Sequence, residues 1–366
     1  MRTRIPLLAA AGLATALALS GCLGAGARVP AAKTDPQLAK TEKLTGPARE
    51  RALYRGARKE GSVTWYTGLI PDQLVIPMKK AFEAKYPGVK LEYYRAGSSE
   101  IATKMLTEAR ARSPKSDIWD GAHAAEVLKS FGASVEYRPP TATDYPAKIK
   151  DKDGYWTAAN IYIKGIAYNT RQVKGDDVPK TYEDLLKPRW KGQLAWTPEA
   201  TGGADFIGNV LGGMGEKAGM AYLKKLAEQN PAVVQVSSRQ LVNLAIAGQY
   251  PLVIQVFNNH VAISRKDGAP VGFAPLGFAS EELNPMGLTA GSPHPYAGRL
   301  LLDFILSADG QRIFREADYI PADPRVKPVD PGLAPDTGGF KVNLITPHAI
   351  EKENAKWVDI FDELNG

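Results

Sequence analysis

Ser62-Val63-Thr64-Trp65-Tyr66, the run Gln73 to Tyr86 (QLVIPMKKAFEAKY) and Val89-Lys90-Leu91-Glu92-Tyr93-Tyr94 decide the fold of this 366-residue chain. The outer two pieces are rich in β-branched and aromatic residues and are bounded by glycines, as short strands are. The middle piece puts Val75, Met78, Ala81, Phe82 and Tyr86 on one helical face and stops at Pro87-Gly88. Gly97-Ser98-Ser99 opens a second helix, Glu100 to Arg112, with Ile101, Met105, Leu106 and Ala109 in one stripe. Asp117 to Trp119 supplies a third strand. Strands alternating with helices imply an α/β fold with a parallel sheet covered by helices.

The alternation continues beyond the first lobe. Gly165 to Asn169 and Gln193 to Trp196 read as strands, and a glycine-punctuated helix opens near Asp205 after Thr201-Gly202-Gly203. Glu216 to Glu228 is a helix, Ser237 or Ser238 caps another over Arg239 to Ala247, and Pro251 to Phe257 is a strand delivering Asn258-Asn259. Tyr296 to Ser307 and Gln311 to Ala317 are further helices. Length and apolar content, 44% hydrophobic residues, suffice for two cores.

Composition narrows the function. The 46 Lys and Arg residues exceed the 39 acids by a net +7, but they are scattered rather than clustered with aromatics, so no nucleic-acid partner is expected. One cysteine forbids an internal disulfide and any cysteine-based metal centre. His123, His260, His294 and His348 lack the spacing of a helix-borne zinc pair. No nucleophile elbow, phosphate loop or dinucleotide fingerprint occurs. No cofactor, no metal site and no catalytic residues are expected.

Arg2 and Arg4 precede an apolar run from Ile5 to Leu19, too short to span a bilayer and typical of a secretory signal. It ends in Leu19-Ser20-Gly21-Cys22, which resembles the bacterial lipobox, so residues 1–21 read as a lipoprotein signal peptide and Cys22 as the lipid anchor. Cleavage removes two arginines and no acid, lowering the formal charge from +7 to +5. Residues 22–49, with Pro30, Pro36 and Pro47 and no apolar period, read as a flexible tether. The folded part is expected from about Glu50.

Polar or glycine-rich segments recur at the carboxyl ends of the expected strands: Thr67-Gly68, Gly97-Ser98-Ser99, Asp120-Gly121, Thr201-Gly202-Gly203 and Asn258-Asn259. Open parallel sheets bind ligands at that edge, and helix N-termini there favour anions. The candidate ligand-binding residues are therefore Thr67, Gly68, Ser98, Ser99 and Asp120 on one wall, with Thr201, Gly202, Asn258 and Asn259 on the other.

Taken in order, Glu60-Gly61-Ser62-Val63-Thr64-Trp65-Tyr66-Thr67, Phe82 to Lys90, Arg95-Ala96-Gly97-Ser98-Ser99, Gly165 to Thr170, Trp190-Lys191-Gly192-Gln193-Leu194, Ala247-Gly248-Gln249-Tyr250-Pro251 and Tyr319-Ile320-Pro321 resemble a family. It is the extracellular solute-binding proteins of ABC importers, near the ferric-iron-binding branch, and the similarity spans about residues 50 to 325. The resemblance implies a two-lobe periplasmic-binding-protein-like fold whose hinge closes a ligand cleft, with 61–165 and 276–325 in lobe 1 and 166–275 and 326–366 in lobe 2. It implies a monomer, lipid-anchored in the periplasm or on the outer face of the cell membrane, that delivers a small polar or anionic solute to an ABC permease complex.

The ferric branch places two tyrosines where this chain has Asn258 and Asn259. Neutral amides are poor ligands for a hard cation, and they suit a phosphonate, a carboxylate or another polar organic solute. Ferric iron or an iron chelate is the alternative cargo, through Tyr93, Tyr94 or Asp120. An extracytoplasmic enzyme or a ligand-sensing surface protein is the alternative of another class.

Overall fold

The computed structural model describes residues 35–198 and 200–366, with only the backbone of Ala200 and Thr201. The apolar run 5–19 and Cys22 lie outside the described residues. Ahead of the first strand stand α1 (Pro36–Glu42) and α2 (Gly46–Glu60). The fold thus begins earlier than the composition of residues 22–49 suggests, because Pro36 and Pro47 start helices rather than stiffen a linker. A proline in the first turn loses no helical hydrogen bond, and Asp35 caps α1 by accepting the Gln37 N–H at 2.9 Å.

The first lobe carries β1 (Ser62–Thr67), α3 (Ile76–Lys85), β2 (Lys90–Arg95), α4 (Ser98–Arg110), β3 (Ile118–Asp120), α5 (Ala122–Ser130) and β4 (Ser134–Val135). The chain then crosses on the long β5 (Thr157–Asn169). The second lobe adds β6 (Leu194–Trp196), α6 (Asp205–Met214), α7 (Glu216–Ala227), β7 (Ala232–Val233), α8 (Ser238–Ile246), β8 (Leu252–Phe257), α9 (Asn258–Lys266) and β9 (Val271–Ala274). A second long strand, β10 (Ala279–Thr289), returns to α10 (Pro295–Ile305), α11 (Ala308–Glu316) and β11 (Ile320–Pro321). The tail forms α12 (Pro335–Gly338), β12 (Val342–Ile345) and α13 (Pro347–Asn365).

Strand order along the sheet is β2-β1-β3-β10-β5-β8-β6-β7. β1 is parallel to β2 and β3, and β6 is parallel to β7 and β8. β5 and β10 are antiparallel to each other and join the two halves. One apolar core, with Leu53, Trp65, Phe82, Trp119 and Phe314, draws on residues 38–159 and 283–322. Another, with Trp196, Phe206, Leu223, Ile254 and Phe361, draws chiefly on residues 166–276 and 345–361. Each such side chain stabilises its lobe by roughly 1.5–3 kcal/mol relative to exposure. α2 lies against α10, where the buried Arg49 pairs with Asp303 and Tyr137. The described residues contain no helix long and apolar enough to cross a membrane.

Candidate functional site

Where the lobes face each other, β1 ends in Thr67-Gly68, β3 in Asp120 and β8 in Asn258-Asn259. Asp120 is the best-supported side chain there. The Trp65 indole N–H donates to it at 2.8 Å and the Gly68 N–H at 3.1 Å, and Thr67 and Asn284 also hydrogen-bond to it. Burial nevertheless dominates and raises its pKa to about 6. Asn284 donates to Asn160 Oδ1 at 3.0 Å, its register partner across β10 and β5, which tiles the hinge face with amides.

Ser98 accepts the Ala124 N–H at 3.1 Å and so ties the start of α4 to that of α5. Gly121 adopts φ +132°, and a Cβ there would lie 2.3 Å from Ser98 Oγ, so this close approach requires glycine. Ser99 is exposed, its carbonyl taken by the Thr103 hydroxyl at 3.0 Å. Gly202 interrupts the helical turn Ala200–Ala204 with φ −111° and ψ −105°, packed against Thr197. The Thr201 side chain lies outside the described residues.

The two asparagines divide their work. Asn258 donates to the Leu333 carbonyl at 2.8 Å and so fastens the tail to α9. Asn259 is 2% exposed, and neither its Nδ2 nor its Oδ1 makes a hydrogen bond of full geometry, the Tyr319 hydroxyl being the group that reaches its amide. It faces the Tyr319 hydroxyl of the other lobe, which also meets the Ile70 N–H and feels Asp120 and Arg95. Tyr162 joins this wall, its ring 4.7 Å from Phe257 and 6.0 Å from Tyr319. Burial lowers the pKa of the neighbouring His260 to about 3, helped by the positive charges of Arg239, Arg95 and Lys164. The lobe-2 wall therefore holds a neutral imidazole with the positive charges of Arg239 and Arg95 near it.

Deeper in the hinge, Lys164 on β5 reaches Asp205 at the start of α6 (2.6 Å) and Glu282 on β10 (2.5 Å). His123 of α5 stands 3.6 Å from the same aspartate, beyond hydrogen-bonding reach. Burial raises Glu282 to about 7, with Asp205 adding to the rise. Burial would raise Asp205 as well, but Lys164 and His123 outweigh it and hold that carboxyl below its ordinary value.

Sequence reasoning named Tyr319 only within a family motif and assigned neither it, nor Tyr162, nor this charged group to the site. One signal was available: Lys164 is the only charge in a thirteen-residue strand, and a lone buried lysine needs carboxylate partners. Tyr93 and Tyr94 do not converge with Asp120. Tyr93 is exposed, while Tyr94 stacks on Tyr66 and donates to Glu100 at 2.6 Å. Pairing in register with Tyr66 puts Tyr94 on the sheet face opposite Trp65 and Thr67. Among the described residues no group of three His, Cys, Asp or Glu side chains could hold a metal ion.

A separate cluster lies at the far end of β1. His294 Nδ1 is 2.9 Å from Asp117 and its Nε2 3.4 Å from Ser62 Oγ, an order of groups resembling a hydrolase triad. The N–H groups opening α10, at Tyr296 and Ala297, are occupied by Glu60 and give no oxyanion site.

Residues 116–341, more than half of the chain, match the family model described as bacterial extracellular solute-binding protein. The Fe(3+)-binding periplasmic protein of Serratia marcescens is 24% identical over 63% of this chain and 70% of its own. A Salmonella typhimurium periplasmic protein named as a candidate 2-aminoethylphosphonate binder is 22% identical over 77% of this chain and 82% of its own. Iron-bound HitA from Pseudomonas aeruginosa superposes with a TM-score of 0.71 at 20% identity, covering 83% of this chain and 99% of that one.

Proposed function

The chain belongs to the bacterial extracellular solute-binding proteins, and we propose that it captures a small polar or anionic solute between its lobes and hands it to the permease of an ABC importer. The cargo reading is carried by Asn259. A fully buried amide whose two polar atoms lack full hydrogen bonds is costly unless a ligand completes it. It sits in the first turn of α9, where free N–H groups favour an anion, and Arg95 and Arg239 add positive charge. An amide supplies no phenolate for ferric iron. A phosphonate like the one for which the Salmonella relative is named fits the wall better than the iron of the Serratia relative.

The same reading places Cys22 as a lipidated anchor, holding a monomer in the periplasm or on the outer face of the membrane. In this reading binding proceeds without turnover, which is supported by Glu60 occupying the two N–H groups that open α10 beside the Ser62–His294–Asp117 cluster.

Calorimetry of the purified chain against 2-aminoethylphosphonate, fructose 6-phosphate, inorganic phosphate and ferric citrate tests the cargo. At least one organic anion should bind, and Asn259→Ala should weaken it tenfold or more. A coloured stoichiometric ferric complex, indifferent to that substitution, would establish iron instead.

A further inference from the structure

The helix that carries Asn259 meets the other lobe along one face. Asn259 faces Tyr319, Ala262 shares an apolar cluster with Ile320, and Lys266 Nζ lies 2.8 Å from Asp318 Oδ2. Positions 259, 262 and 266 are one stripe of α9. Their partners 318, 319 and 320 are consecutive residues of the corner that ends α11.

Asp318 is an unexpected residue there. It holds φ +60°, its N–H bonds to the Arg315 carbonyl, and the Tyr319 N–H bonds to the Phe314 carbonyl, which together form the left-handed helix stop that glycine fills most cheaply. In this chain α5, α8 and α9 end the same way at Gly132, Gly248 and Gly268 and α4 at Arg112, while α7 turns at the left-handed Asn230 ahead of Pro231. Capping tolerates an aspartate here but does not call for burying its carboxylate. The Asp318 side chain is 8% exposed and its partner Lys266 58% exposed, so the corner buries the acid and the lysine reaches in from solvent.

The geometry points to Lys266–Asp318 as a clasp between the lobes, a pair of positioning residues that holds Tyr319 opposite Asn259 and favours the closed cleft. This rests on the capture reading above, but it concerns the lobes and not the identity of the solute. A half-exposed pair shifts an equilibrium modestly, about two- to fivefold.

Deuterium exchange of the full chain without solute is the test, because it reports local opening directly and requires no cargo. Asp318→Gly should raise exchange about two- to fivefold in the cleft segments 66–70 and 258–262. Exchange within α11 should be no faster than in the parent and the melting temperature no lower, because glycine relieves the left-handed residue. Lys266→Gln should reproduce the cleft effect, and Lys266→Arg should restore parental exchange. Unchanged cleft exchange in Asp318→Gly, or faster exchange in α11 with a lower melting temperature, would overturn the clasp. Calorimetry with the four probes is read separately and can fail without touching this result.

Discussion

The Lys164 ammonium stands 2.6 Å from the Asp205 carboxylate with neither side chain reaching solvent. β5 supplies the lysine and α6 the acid, while Glu282 on β10 and His123 on α5 complete the group, so both lobes and both crossing strands contribute. Two acids surround one lysine, and the surplus negative charge retains a proton. Glu282 holds it, with a pKa raised by burial to about 7 from an ordinary 4.5.

The sign of the pH dependence follows. A carboxyl that binds its proton more tightly when folded costs nothing below about pH 4.5 and its full penalty above about pH 7. His123 acts in the same direction. Asp205 outweighs its burial, so its stabilisation is in place above the unfolded value and lost in strong acid. Glu282→Gln mimics the protonated form. Urea denaturation at pH 5, 6.5 and 8 should therefore show the variant gaining on the parent as pH rises, by on the order of 2 kcal/mol across the range. Parallel profiles would place the proton elsewhere.

What was legible in the sequence was periodic. The alternation of Ser62–Tyr66, Gln73–Tyr86 and Val89–Tyr94 reads directly as a strand, a helix and a strand because each buries one face, and β1, α3 and β2 occupy nearly those spans. The tail was not legible in the same way: β12 and α13 have irregular approaches, and α13 folds by seating Trp357 and Phe361 on lobe 2. Long-range charge pairing escaped because Lys164 and Glu282 are 118 residues apart. Asn258 and Asn259 look alike in sequence, and only the position of Leu333 separates their roles.

Arg49 shows how tightly the early helices are held. It meets Asp303 and Tyr137 across the α2–α10 seam, and burial raises Asp303 even beside that guanidinium. Arg49→Met leaves the buried carboxylate without its cation and held only by the Tyr137 hydroxyl at 2.6 Å, which should cost about 3 kcal/mol in urea denaturation. Adding Asp303→Asn should recover a large part of that loss. A loss under 1 kcal/mol in the single variant would mean that α2 is dispensable to lobe 1.

Asp117 is an organiser of structure. Its two oxygens accept from the Thr64 N–H (2.7 Å), the Ser292 hydroxyl (2.5 Å), the His294 N–H (2.8 Å) and the His294 ring (2.9 Å). Asp117→Ala should lower stability by about 3 kcal/mol, since four half-buried donors lose their partner at once. Ser62 should stay unlabelled by a fluorophosphonate probe, because Glu60 occupies the nearby N–H groups. Labelling that disappears in His294→Gln would restore the enzyme alternative.

The two asparagines should respond to substitution with opposite sign. Asn258 donates to the Leu333 carbonyl inside the fold, so Asn258→Ala leaves that acceptor bare and should lower stability by about 1–2 kcal/mol. Asn259 has two buried polar atoms without full hydrogen bonds, so Asn259→Ala removes an unmet desolvation cost. Its denaturation midpoint should equal or exceed the parent's, despite the smaller side chain. Binding should sort the other way. Affinity for whichever of 2-aminoethylphosphonate, fructose 6-phosphate or inorganic phosphate the parent takes up should fall tenfold or more in Asn259→Ala, about 1.4 kcal/mol. In Asn258→Ala it should change less than threefold. Equal destabilisation by both substitutions, with affinity untouched in each, would reduce Asn259 to a packing residue and move the solute to another part of the cleft.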